Sequence, residues 1–122
     1  MNNDIKIIER EVLAWPGVSA GPGRFGAVVF RYGRRELGHI HHDRVADLPV
    51  PKAFRDELLG AGRARPHRAG SRGYVSYPIW SPEDVSSIIE VLHMNYNRAK
   101  AAAARRAASL NQTEDGVTNE DG

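Results

Sequence analysis

The sequence predicts an α+β domain: an antiparallel sheet of about four strands, in two hairpins, covered by helices in the order α-β-β-α-β-β-α. Three observations carry this prediction. Two apolar-rich runs, 25–32 and 35–42, flank Gly33 and Arg34, and glycine at the first position of a two-residue loop suits a type II′ hairpin turn. Runs 64–67 and 73–79 repeat the strand character around a loop with two glycines. Helical patterns precede, separate and follow the two pairs, which argues for helices laid over an antiparallel sheet.

The first helix is expected over residues 5–15, capped by Asn3 or Asp4, because Ile5, Ile8, Val12 and Trp15 recur at helical spacing and Pro16-Gly17 ends the pattern. Residues 19–23 read as a loop leading into the first hairpin. A two-residue turn fixes the register there, pairing Arg31 with Glu36, Phe30 with Leu37 and Val28 with His39. Strict alternation then places Leu37, His39 and His41 on one face and Glu36, Ile40 and His42 on the other. Residues 44–50 read as irregular. Pro51 fits the start of a short helix over 52–59, burying Phe54, Leu58 and Leu59, and Gly60 and Gly62 stop it. Pro66 and Pro78 assign the second strand pair to edges or strand ends. Ser81-Pro82-Glu83-Asp84 joins a capping hydroxyl, a proline at the first helical position and acids in the first turn, so the last helix starts there, with Val85, Ile88, Ile89, Leu92 and Tyr96 on one stripe.

At 122 residues the chain has the length of one domain, expected over 4–98. An Ala/Arg-rich helical extension is expected over 99–110 and a disordered acidic tail over 111–122. With no cysteine, disulfides, thiolate metal sites and cysteine nucleophiles are excluded. The N-terminal residues lack a signal peptide's basic start and apolar run, and no apolar run approaches the roughly 20 residues of a membrane span, so a soluble cytoplasmic protein is expected. The net charge of +2 divides into +6 for residues 1–110 and −4 for residues 111–122. Fourteen of the 17 basic residues are Arg, a bias that suits anion recognition and that a GC-rich genome also produces.

Three chemistries compete. His39, His41 and His67 offer three imidazoles for a divalent transition metal such as zinc, nickel, copper or non-haem iron, with Asp43 or Asp47 as a further ligand or as an orienter. Against this stands a histidine-bearing strand that merely packs. His42 is expected in solvent and His93 at the margin of the last helix's stripe. Acid–base catalysis through Glu36, His39 and Asp47 is the second chemistry, although the predicted alternation sets Glu36 and His39 on opposite faces and forbids a direct dyad. The third is binding of nucleic acid or another anion by Arg63, Arg65, Arg68 and Arg72, beside Tyr74 and Tyr77. No serine lies in a nucleophile elbow, and residues 21–26 match no phosphate loop.

The residues WPGV at 15–18, Arg35-Glu36-x-Gly38-His39-x-His41, Asp47-Leu48-Pro49, the spacing from Gly62 to His67, Tyr74-Val75-Ser76-Tyr77 and Glu83-Asp84-Val85 together resemble the small bacterial and fungal "luciferase" domain family, over about residues 9–98. That name is inherited and implies no light emission. The resemblance implies that Glu36, His39, His41, Asp47 and His67 occupy the family's polar positions and form a ligand pocket. Tyr74, where the family tends to have Trp, and the extra His42 depart from the pattern. The element order is also similar, faintly, to MmcQ/YjbR-like proteins, which implies a double-wing α+β fold and nucleic-acid binding. The expectation is a small cytoplasmic binding protein with a histidine-rich, metal-dependent pocket for a small ligand or partner protein. A metal-assisted or acid–base enzyme and a nucleic-acid-binding module through the 63–72 loop are the alternatives, and self-association stays open.

Overall fold

A computed structural model describes residues 3–111 in full. It contains α1 (Asp4–Leu13), β1 (Val18–Pro22), β2 (Val28–Tyr32), β3 (Arg35–His41), β4 (Val45–Pro49), α2 (Lys52–Gly60), β5 (Arg65–Pro66), β6 (Tyr74–Pro78) and α3 (Pro82–Asp121). The strands form one antiparallel sheet in the order β1-β2-β3-β4-β6-β5. The α+β class and both expected hairpin pairs are present, and the sheet has six strands rather than about four. The additional strands are β1 and β4, from segments read as loop and irregular. Gly21 and Pro22 hide the first, and Asp47 in the middle of the second breaks its apolar pattern, since glycine, proline and aspartate are depleted in strands.

The helices cover one face of the sheet. Phe30, Leu37, Ile40, Leu48, Val75 and Tyr77 from the strands are buried in one core with Ile8 and Val12 of α1 and Ile88 and Leu92 of α3. Leu58 anchors α2 beside them, with Phe54 and Leu59 partly buried. The start of α3 is capped by a carboxylate: Asp84 accepts from the N–H groups of Trp80 (2.8 Å) and Ser81 (3.0 Å) and from the Ser81 hydroxyl (3.2 Å). Asn3 precedes α1 without a side-chain capping bond. Buried Asn95 on α3 donates to the carbonyls of Leu37 (2.9 Å) and Pro49 (2.8 Å), which ties the helix to two strands at once. Among the described residues Ala99 is the last buried one of α3; from residue 100 to 111 the helix has no buried side chain. The acidic tail expected to be disordered lies, beyond its first residue, outside the described residues.

The hairpin turn at Gly33-Arg34 and the pairing of Arg31 with Glu36 are as expected, but the register then shifts by one. Phe30 faces Gly38, Val29 faces His39 and Val28 faces Ile40, with a bulge between Phe30 and Arg31. Leu37 is the extra residue of β3, and a bulge reverses side-chain alternation beyond it. Leu37 and Ile40 are therefore both in the core, and Glu36, His39 and His41 share the opposite face. This corrects the predicted alternation. The bulge is packed rather than loose: a Cβ on Gly38 would lie 2.8 Å from a methyl of Leu92 and 2.9 Å from one of Leu48, so only glycine lets the helix and β4 approach this closely.

Candidate metal centre

The face of the sheet away from the helices carries a polar cluster centred on Asp47. Its position follows from register: Asp47 of β4 lies opposite His39 of β3 on one side and Ser76 of β6 on the other. His41 is two residues beyond His39 on the same face. His67 arrives from the residue just after β5, two strands beyond β4.

Asp47 is 3% exposed, and a buried carboxylate survives only when its charge is met. Here it is met on both oxygens. Oδ1 accepts from the Ser76 hydroxyl at 2.7 Å, and Oδ2 accepts from His41 Nε2 at 2.8 Å and His39 Nε2 at 3.2 Å. His67 Nε2 stands 3.6 Å from the same oxygen. Burial by itself would push the pKa of this group up. Hydrogen bonds from His39, Ser76 and His41, with His67 nearby, outweigh it and hold Asp47 well below the usual carboxylate range.

A second layer orients the first. His39 donates from Nδ1 to Glu36 Oε2 at 2.6 Å, the contact that strict alternation had forbidden and the bulge permits. Hydrogen bonds to Asp47 and then Glu36 push the His39 pKa up to about 9, against the opposing effect of burial. The Ser71 N–H donates to His67 Nδ1 (3.3 Å), which directs the protonated Nε2 of His67 at Asp47. The Arg68 N–H donates to the Ser76 hydroxyl at 3.2 Å. Tyr74 closes the cluster, its ring centroid 5.4 Å from that of His67 and 6.1 Å from that of His39; burial and then the adjacent Glu36 push its phenol up to about 12.

Glu36, His39, His41, Asp47 and His67 thus lie together. Among the described residues, the group whose donor atoms all fall within 4.8 Å of one another is His39, His41 and Asp47. That group holds two imidazoles and a carboxylate; His67, the third imidazole expected from the sequence, stands beside it with Nε2 3.6 Å from Asp47 Oδ2. The donor set fits a divalent transition metal. Ligand atoms around a tetrahedral ion with bonds near 2.0–2.2 Å stand roughly 3.4 Å apart, and the two imidazole nitrogens here lie 2.8 and 3.2 Å from Oδ2. The Nδ1 contact of His39 with Glu36 is the outer-layer carboxylate that metal-bound histidines commonly carry. His42 is exposed, and His93 is exposed at the edge of α3, its ring 4.9 Å from that of Trp15.

The expected anion-binding arginines do not converge. Arg63 donates to Ser87 (2.7 Å), Arg65 lies over the Trp80 ring (4.9 Å), and Arg68 pairs with Asp43 (2.8 Å), whose carboxyl it lowers. Arg72 lines a separate cleft of about 660 Å³ with Lys52 and Arg55. Sequence reasoning missed Ser76, whose signal was its place in the alternating run of β6, and Arg24, which faces a groove beside the trio. That groove, of about 530 Å³, runs from the turn at Pro22 to Arg24, past Val29 and Arg31, to Glu36, His39 and His41.

No helix among the described residues is long and apolar enough to cross a membrane. No curated protein and no solved structure matches the chain, so the likeness to MmcQ/YjbR-like proteins has no support there. The family model described as Luciferase domain matches residues 34–95, half of the chain, from the hairpin turn to Asn95 of α3. Every residue of the polar cluster lies within that match, and the chain belongs to the luciferase domain family.

Proposed function

We propose that this chain is a small cytoplasmic binding domain that holds a divalent transition metal at His39, His41 and Asp47 and presents it to a small ligand in the adjoining groove. The observation that carries the reading is the trio itself, three donor atoms within 4.8 Å, supported by Glu36 behind His39 and Ser76 behind Asp47. His39, His41 and Asp47 would hold the ion, which supplies Lewis acidity and an exchangeable coordination position. Glu36 fixes the orientation of the His39 ring, and Ser76 fixes the carboxylate. His67 and Tyr74 border the site and limit the approach of water.

The test is elemental analysis of protein purified without a histidine tag. One ion per chain is expected in the wild type, with loss in His39→Ala and Asp47→Asn. Metal-free wild-type protein after incubation with zinc, nickel, copper and ferrous ions would overturn the reading.

One observation favours a second reading, an acid–base enzyme: Glu36, His39 and Asp47 form a continuous chain at 2.6 and 3.2 Å. In the metal-free site a histidine between two carboxylates keeps its proton at neutral pH. It would then serve as an acid or a cationic binding group rather than as a base. Nucleic-acid binding through the 63–72 loop draws little support from Arg63, Arg65 and Arg68, which each face a different partner.

A further inference from the structure

We infer that the groove beside the trio binds a small organic dicarboxylate, one carboxylate on the metal side and the other held by Arg24 and Arg31. The inference rests on the metal reading for one end of the ligand and on the two arginines for the other.

Arg31 lies directly opposite Glu36 in the hairpin, where the sequence predicts a complementary ion pair. That pair is absent among the described residues, because the bulge turns the Glu36 carboxylate toward His39. Among the described residues Arg31 has no side-chain hydrogen bond or ion pair, and it lines the groove. Arg24 enters the same groove from the β1–β2 connection, again with no side-chain partner among the described residues. The next residue, Phe25, adopts left-handed backbone angles (φ 56°) and is 82% exposed. Such a conformation is costly for a bulky side chain and marks a turn held by its surroundings; Arg24 beside it is exposed and lines the groove.

The charges select the ligand. With a divalent ion in place and neutral imidazoles, the ion, Arg24 and Arg31 outweigh the carboxylates of Glu36 and Asp47 by two positive charges. A dianion restores neutrality. Guanidinium groups grip a carboxylate through paired N–H bonds, and a volume of about 530 Å³ suits a small molecule. The arginines of the 63–72 loop offer no such site, since Arg63, Arg65 and Arg68 are already engaged.

The test titrates cobalt-loaded, tag-free protein with succinate and with its neutral diamide, following heat by calorimetry and the cobalt absorption bands. Succinate is expected to bind and to shift the bands, the diamide at least about 10-fold more weakly. The Arg24→Gln/Arg31→Gln double variant should take up cobalt as the wild type does and bind succinate at least about 10-fold more weakly. Wild-type protein that takes up cobalt but does not distinguish succinate from the diamide, or a double variant that binds succinate as tightly as wild type, overturns this inference alone. Failure of the wild type to take up cobalt overturns it together with the metal reading.

Discussion

The two faces of one sheet are built from neighbouring residues with opposite tasks. On β4, Leu48 is fully buried under α3, while Asp47, one residue earlier, is buried on the other face among imidazoles. On β3, Ile40 lies in the core between His39 and His41. The apolar face gains free energy by removing carbon from water. The polar face gains nothing from burying a carboxylate except what its hydrogen-bond partners return. The first face therefore maintains the fold and the second depends on it: the positions of His39, His41 and Asp47 are set by strands held from behind.

Substitutions at adjacent residues should separate these roles. Leu48→Ala is expected to cost about 3 kcal/mol, the usual range for a leucine cavity in a packed core, measured by urea denaturation, with unchanged metal content in the folded protein. Asp47→Asn should do the reverse, abolishing metal uptake while the circular dichroism spectrum is kept. Loss of metal in Leu48→Ala under native conditions would break the distinction between the faces.

A smaller effect is expected at the bulge, where the faces are coupled. Gly38→Ala must displace Leu48 and Leu92, at a cost of about 2 kcal/mol for an overpacked core. It should also disturb Glu36 relative to His39. Metal affinity should fall about 10-fold, the lower end for loss of an outer-layer partner. Wild-type affinity in a destabilised Gly38→Ala protein would mean that the bulge serves packing alone.

The smallest effect concerns the metal-free protein. Its His39 pKa is raised to about 9 from an ordinary 6.5, so the stability this group contributes is fully present below about pH 6.5 and is lost as the pH rises through 9. Asp47 acts with the opposite sign, its contribution present above the usual carboxylate range and lost in acid. The unfolding free energy of chelator-treated protein, from urea denaturation, should fall between pH 6.5 and 9.5 by on the order of 1 kcal/mol. His39→Gln should flatten that limb, and an identical alkaline fall in the variant would assign it to another group.

The sequence by itself determined the α+β class, the Gly33-Arg34 hairpin, the helix start at Ser81-Pro82 and, of the polar cluster, Glu36, His39, His41, Asp47 and His67 but not Ser76. Each of these is written locally, in turn chemistry, capping residues and apolar spacing, and the family resemblance rests on the same short motifs. Only the tertiary structure decided which of those residues meet. Strict alternation along 35–42 separates Glu36 from His39, and nothing in the local pattern announces the extra residue at Leu37, because the side chains that crowd Gly38 there, Leu48 and Leu92, come from distant segments. β4 was hidden for a related reason. A strand with aspartate at its centre contradicts its own propensity, and it is stable only once His39, His41 and Ser76 from two other strands surround that charge. Where local preference and long-range contact disagree, the long-range contact prevailed, and the candidate site lies at those points.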